Sequence, residues 1–400
     1  MAVQRLSGVK KLLFISTGNS GKGPHGEICL PALSRDGWEI TVVAPEAENS
    51  LLNRLLPYRA AFKNLPAYGP RQELAIMRLL LASRMFPGTV LYLHSQSLSL
   101  RAWLWLLGPK FGKRIVYHNP DYYDPFNYPL HHFAEKRLCR KCDLCLNNEF
   151  HRAYITRASY RLRCPIVTVP IMLPAAWPFP ATSPQVRREI CGGQDGQFVL
   201  ILHGGYGEVR MVPQLFEALA LLPERFRLVM FIKEHREIET TAHLDRLGIA
   251  GRVQRFPGMG LDGLLKYTVN ADAGMLLYSN NDLGNFFTAP GRLTEYLGAG
   301  LPVLATNHTG LENLVWRLDV GVTVDSTRPR QIADGILRLE ALKLKGRFPA
   351  GRMRRVFLED LAFDLWETDI CAAFNELALP RREWKKAAPP AFPWLKSKPE

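Results

Sequence analysis

Four hundred residues are more than one ordinary hydrophobic core serves, so two domains are expected. An apolar share of 47% with 22% charged residues excludes a disordered or fibrous chain, and no run of about 18 apolar residues marks a membrane span. The net charge of +14 is concentrated: residues 1–175 carry 23 Lys+Arg against 11 Asp+Glu, whereas residues 176–360 carry 22 against 20.

In chain order, the opening "MAVQRLSGVKKLLFIST" runs a basic start directly into a short strand, with no cleavage site. The seven cysteines (29, 139, 142, 145, 164, 191 and 371) are too scattered for a disulfide framework. Both features predict a reducing, cytoplasmic location. Short apolar runs follow: "KKLLFIST", "EITVVAP", "TVLYLHS", "RIVYHN" and "DLCLNN", with the helical-period segment "RQELAIMRLLLASRMF" among them. Alternating strands and helices predict a parallel sheet covered on both faces. Within this half, Gly18, Gly21 and Gly23 of "STGNSGKGPHGE" predict a flexible loop, with Lys22 and His25 in reach of a phosphate or an acceptor. The segment 97–114, "SLSLRAWLWLLGPKFGKR", sets Trp103 and Trp105 among Arg101, Lys110, Lys113 and Arg114. That mix suits either an interfacial segment on an anionic membrane or a helix with its tryptophans in the core. "CRKCDLC", 139–145, lacks the two separated pairs of a zinc ribbon, so no metal is expected there.

The proline-rich stretch 170–187 reads as a linker, after which the pattern restarts: "QFVLILHGG", "RLVMFI", "RVQRFPG", "AGMLLYS", "LPVLATN" and "GVTVD". The expected organisation is therefore one α/β domain over 1–175, a second over 176–360, an amphipathic helical segment over 361–380 and a basic, proline-rich tail over 381–400. Ligands of open α/β sheets bind beyond the carboxyl ends of the strands, so loops just after strands are the candidate sites.

Two such loops stand out. "ILHGGYGEVRMVPQLFEAL" is a strand, a glycine-rich turn and a helix; Gly204, Gly205 and Gly207 can bring backbone N–H groups to a phosphate, and Arg210 can add charge. "FFTAPGRLTEYLGAGLPVLATN", residues 286–307, places Pro290, Gly291 and Arg292 at a helix start, where a cation opposes the helix dipole by about 0.3–1 kcal/mol. A bound diphosphate would reverse that sign, and Glu295, about 7–8 Å farther along the axis, would meet a ribose diol. The alternative is an ordinary amphipathic helix with a surface Arg–Glu pair.

Taken together, the glycine turn, "RFPGMG…LLKYTVNADAGMLLYS" and "PGRLTEYLGAGLPVLA" resemble the donor domain of GT-B glycosyltransferases, and family 4, the large retaining family, most of all. The resemblance spans residues 197–340 well and the first half loosely. It implies two Rossmann-like domains facing across a cleft, with a C-terminal helix crossing back to the first. It also implies hexosyl transfer of the EC 2.4 type from a UDP- or GDP-linked sugar to a glycan or lipid-linked acceptor, in cell-surface polysaccharide or glycolipid synthesis. By the same resemblance, Glu295 binds the ribose. Pro290, Gly291, Arg292 and Leu293 wrap the diphosphate, Arg210 grips it, and Gly204 and Gly205 form the facing turn. Gly258 and Met259 meet the base. His118, after "RIVYH", stands where many members hold a histidine against the donor sugar, with His94 of "LYLHSQ" as the other candidate. No metal and no other cofactor is implied. An anionic membrane surface is an expected partner and nucleic acid is not, since no basic patch is interleaved with stacking aromatics. One departure from the pattern is Phe287, which occupies the position of the first glutamate of Glu-x7-Glu. An epimerase or phosphorylase of the same fold, and a nucleotide-binding scaffold without turnover, are the competing expectations.

Overall fold

The computed structural model describes residues 10–23, 25–86, 88–108, 113–119, 121–204, 206–232, 234–288 and 291–379. They form two compact units, one running to Ile171 and resuming at Asp364, the other spanning Met172–Phe363.

The first unit is built on seven parallel strands: β1 (Lys11–Ser16), β2 (Glu39–Pro45), β3 (Ala60–Leu65), β4 (Thr89–His94), β5 (Arg114–Asn119), β6 (Leu144–Asn147) and β7 (Ile166–Thr168), in the spatial order β3-β2-β1-β4-β5-β6-β7. A parallel sheet is covered on both faces, which is why its central strands are near-continuous apolar runs rather than alternating ones. β4 shows this directly, with Val90, Leu91, Tyr92 and Leu93 all buried. β3 and β7 are absent from the sequence expectation for the opposite reason. β3, "AAFKNL", is an edge strand with an exposed alternating pattern, and β7 is three residues long. The helix Glu367–Ala378 packs in this unit, with Phe374 against Trp38 and Tyr92 (ring centroids 5.9 and 5.6 Å apart) and Glu367 paired with Arg35 at 2.6 Å. The segment that leads to it is not one continuous helix: a π-turn at Phe357–Leu361 ends at extended Ala362 before a short turn at Phe363–Trp366.

The second unit repeats the plan with β8 (Phe198–Leu202), β9 (Phe226–Ile232), β10 (Val253–Pro257), β11 (Ala273–Leu276), β12 (Val303–Thr306) and β13 (Gly321–Val324), in the order β10-β9-β8-β11-β12-β13. Each sheet therefore reverses its direction of winding once, between β1 and β4 in the first and between β8 and β11 in the second. Those reversals are the switch points where doubly wound sheets leave a crevice for a ligand. Among the described residues no helix is long and apolar enough to cross a membrane.

Candidate active site

The last residue before the glycine turn, His203, leaves the carboxyl end of β8 beside the second switch point. The helix Arg292–Gly298 holds it in three ways. Arg292 Nη1 donates to the His203 carbonyl at 2.6 Å. The His203 N–H donates to Tyr296 Oη at 2.9 Å. The His203 ring presents Nδ1 to Glu295 Oε2 at 2.6 Å. An ionised carboxylate only accepts, so the Nδ1–H donates there, leaving Nε2 facing the Thr268 hydroxyl at 2.6 Å. His203 is almost wholly buried and Glu295 is 16% exposed, so one carboxylate oxygen is committed to the protein while the group still reaches the surface. Arg292 and Glu295 do not form the ordinary surface pair: among the described residues each engages His203 instead. The cation at the helix start is thus explained locally by the carbonyl it caps.

The same arginine defines an electropositive corner. Arg292 Nη2 also donates to the Tyr278 hydroxyl, and its guanidinium lies 5.1 Å from the centre of the Tyr278 ring, while that of Arg210 lies 4.4 Å from it. Tyr278 follows β11, so the two arginines gather on the residue across the switch point from β8. Gly204 is the residue between them. A Cβ there would sit 3.8 Å from Arg292 Nη1 and 4.0 Å from Arg210 Cγ, and its φ of +145° is one that residues with a side chain rarely adopt. The turn ends on Met211, whose φ of +51° strains a bulky residue by about 1–2 kcal/mol, and Ser279 N–H donates to Val209 O at 3.1 Å, tying the turn to the strand β11 loop.

Of the other expected donor residues, Leu293 is a core side chain, 1% exposed, so only its backbone is available to a ligand. Gly291 caps the helix with an ordinary φ of −52°. Gly258 N–H donates to Ile232 O at 3.1 Å and Met259 lies half-buried behind it, over Gly263. Phe231, Phe256 and Tyr267 cluster next to this loop, Phe256 and Tyr267 with centroids 4.2 Å apart. Phe287 packs edge-on to Phe286 at 5.0 Å, which itself lies against His308. Gly205 and Pro290 lie outside the described residues, as does the side chain of His25.

In the first unit His118 is fully buried. Its Nε2–H donates to Asn148 Oδ1 at 2.6 Å and Tyr92 Oη meets Nδ1 at 2.8 Å. Burial pushes its pKa down to about 4, so it is a neutral histidine of the core. His94, at the end of β4 and beside the first switch point, pairs with Ser16 Oγ at 3.0 Å. Its ring occupies the space a Cβ on Gly26 would need, 2.2 Å away, so Gly26 makes room for it. Next to it Thr17, Ser95 and Ser97 share hydroxyl contacts, Thr17–Ser97 and Ser95–Ser97 both at 2.9 Å, and Ser95 is held at a φ of +142°. The glycine loop is pinned rather than loose. Ser20 donates to buried Glu27, which also accepts from Ser50 at 2.7 Å, Asn19 Nδ2 donates to Glu46 at 2.9 Å, and a Cβ on Gly21 would strike Glu46. Lys22 is exposed and Gly23 buried. Burial raises the pKa of Glu27, against the three hydroxyls that lower it.

Sequence reasoning missed His203, Tyr278, Tyr296 and Glu27. His203 had a usable signal, a polar residue at the end of the apolar run "FVLIL". The tyrosines had none, since each reads as core. Cys139, Cys142 and Cys145 are buried, and Cys164 Sγ lies 3.6 Å from Cys145 Sγ. Among the described residues no group of three or more His, Cys, Asp or Glu is arranged to hold a metal ion.

No family model matches the chain, and no curated protein matches it. Solved structures do. HepE of Anabaena in complex with UDP-glucose superposes with a TM-score of 0.71 at 16% identity, over 91% of this chain and 99% of that one. Sucrose-phosphate synthase from Thermosynechococcus elongatus gives 0.68 at 15%, over 92% and 99%. WaaG, a glycosyltransferase involved in lipopolysaccharide biosynthesis, gives 0.65 at 15%, over 91% and 99%. With two parallel sheets of the same winding order, the chain has the GT-B fold.

Proposed function

We propose that the protein is a glycosyltransferase that moves a hexose from a nucleoside-diphosphate sugar to a glycan or lipid-linked acceptor. The observation that carries this reading is the convergence of Arg210, Arg292 and Gly204 on the second switch point, with Glu295 fixed beside them. The donor is UDP- or GDP-linked, and HepE, crystallised with UDP-glucose, favours UDP.

In this reading the two guanidiniums face the diphosphate, and Gly204 lets its oxygens approach the backbone. Glu295 Oε1 accepts from a ribose hydroxyl while Oε2 stays on His203. Negative charge grows on the diphosphate as the anomeric bond breaks, and cations fixed in place before the reaction stabilise that charge with little reorganisation. Transfer with retention fits the same geometry: the departing phosphate takes the acceptor's proton, so no side-chain base is needed. The acceptor then meets the first unit at Gly21, Lys22, Gly23 and His25 and at the neighbouring hydroxyls of Thr17, Ser95 and Ser97. His118, being buried and neutral, contributes by holding this region together.

The test is release of UDP or GDP from a panel of nucleotide sugars, with and without glycan and lipid-linked acceptors. Acceptor-dependent release is expected for one donor, and Arg210→Ala should lower kcat by about 10²–10³. A second reading, nucleotide binding without turnover, is motivated by Phe287 at the position of a sugar-contacting glutamate. It predicts binding of the nucleotide with no release from any pair.

A further inference from the structure

The first unit carries an exposed surface that sugar transfer does not use. On the helix Pro70–Ser83 and the turn after it, Arg71, Leu74, Arg78, Leu81 and Met85 follow one another at spacings of three and four, so they share one face, and all five are exposed. Leu74 is 53%, Leu81 52%, Met85 79% and Phe86 62% exposed, an outward apolar stripe that a helix shielding only the core would not present. The helix Ser99–Trp105 is joined to it by the Arg101–Glu73 pair and by Arg84, which donates to Trp105 O, and adds exposed Leu104 and Leu107. The helix Pro129–Cys139 packs on that one, Phe133 against Trp103 at 5.4 Å, and adds exposed Leu130 and Phe133, with Arg137 over the Phe133 ring and Phe126 and Tyr128 in the turn before it.

The charge on this surface is predominantly positive. Arg71, Arg78, Arg137, Arg140 and Lys141 are exposed. Residues 70–141 contain only four acids, and each has a partner: Glu73 pairs with Arg101 and Asp121 with Arg152 at 2.6 Å, both still partly exposed, Asp124 accepts from the Phe126 N–H at 2.8 Å, and Glu135 is buried between Tyr117 and Tyr160. Within the segment 97–114 the tryptophans are not themselves the contact. Trp105 is 3% exposed under Arg84, Trp103 is half-buried, and Lys113 is buried on Phe86 O.

We propose that this three-helix face docks the protein on an anionic lipid bilayer, with Leu74, Leu81, Met85 and Phe86 entering the acyl boundary and Arg71 and Arg78 meeting lipid phosphates. A second copy of the chain would bring like charges together. A nucleic acid offers phosphates but no apolar phase for leucine and methionine side chains. A bilayer surface of anionic lipid supplies both. This inference goes beyond the sugar-transfer reading and does not depend on it.

The test is co-sedimentation of the full chain with vesicles of phosphatidylcholine alone or with about a third phosphatidylglycerol. Binding is expected to the anionic vesicles and to weaken with salt. Arg71→Gln with Arg78→Gln should lower that partitioning about 30-fold. Leu81→Ser with Met85→Ser and Phe86→Ser should lower it at least about tenfold. Both variants should keep the wild-type melting temperature and nucleotide response, which separates this test from that of the donor site. Three results would overturn the proposal: no binding to anionic vesicles, binding that ignores both variants, or a concentration-dependent dimer that the triple-serine variant abolishes. Displacement of the vesicles by an oligonucleotide with equal effect on both variants would also do so.

Discussion

His203 is the residue on which the donor-side constellation turns. Its carbonyl, N–H and ring each meet a different side chain of one helix, so it couples the strand β8 to Arg292, Glu295 and Tyr296. Replacing it with alanine removes the partner of Glu295 Oε2 but leaves the arginines. The expected outcome for His203→Ala is a fall in nucleotide affinity of about tenfold, the worth of one charge-assisted hydrogen bond of ~1.5 kcal/mol, with Arg210 still contributing. Isothermal titration checks this, and an unchanged affinity would show that Glu295 needs no support. Glu135 is the corresponding residue of the first unit. It is fully buried, and desolvation, only partly offset by the Tyr160 and Tyr117 hydroxyls, raises its pKa from 4.5 to about 8. The folded chain therefore holds a proton that the unfolded chain has released, so this stabilisation is fully present below 4.5 and is lost as pH rises to about 8. His118 acts oppositely: with its pKa lowered from 6.5 to about 4, its contribution is present above 6.5 and is lost as pH falls toward 4. The window from 6.5 to 8 thus separates Glu135 from His118. There, denaturant titrations should show Glu135 lowering stability by up to about 1.4 kcal/mol per pH unit, and Glu135→Gln should remove that contribution.

At the scale of elements, the helix Arg292–Gly298 is specified at both ends and on one side. Gly300, at a φ of +87°, closes it, with Gly300 N–H on Leu297 O and Leu301 N–H on Tyr296 O, both at 2.9 Å. Its inner side rests on β11 through Gly274, where a Cβ would lie 2.3 Å from the Tyr296 ring. Gly274→Ala is expected to displace that ring, costing about 1–3 kcal/mol by overpacking. Because Tyr296 Oη holds the His203 N–H, the substitution should also weaken nucleotide binding. Thermal denaturation and titration of one variant check both effects. This helix was legible in the sequence because its signals are local: "PGR" at the start, "GAGLP" at the end and an apolar spacing between. What it grips was not legible, because His203 is almost ninety residues earlier and becomes a neighbour only through the pairing of β8 with β11. The same limit applies to the segment 97–114, where composition alone does not say which way a tryptophan points. It applies also to the glycine loop, whose anchor Glu27 is a lone acid in a turn until Ser20, Ser50 and Tyr58 close around it.

For the whole molecule, two α/β units were readable because buried parallel strands must be apolar runs, and eleven of the thirteen strands announce themselves that way. β3 and β7 did not, being a half-exposed edge and a three-residue edge. The repeated strand order then places a switch point in each unit, and both candidate regions lie there, built from residues that share no stretch of sequence. The charge asymmetry follows the same division: the basic excess lies in the first unit, which carries the helices proposed to meet lipid, while in the second unit acids nearly balance the basic residues and Arg210 and Arg292 gather on Tyr278.

The donor site is tested by thermal denaturation with UDP, GDP, ADP, CMP and dTDP, on the wild type and on Glu295→Ala and Arg210→Ala. At about 100 times its dissociation constant a nucleotide adds ~2.7 kcal/mol, which should raise the melting temperature of the unit it binds by about 5–10 °C. One uridine or guanosine diphosphate is expected to do so, and both variants should lose most of that shift, each measured against its own ligand-free melting temperature, which Glu295→Ala lowers by leaving the buried His203 ring without its partner. No shift with any nucleotide, or a shift that both variants retain, would contradict it and leave the arginines and Glu295 as supports for His203 alone.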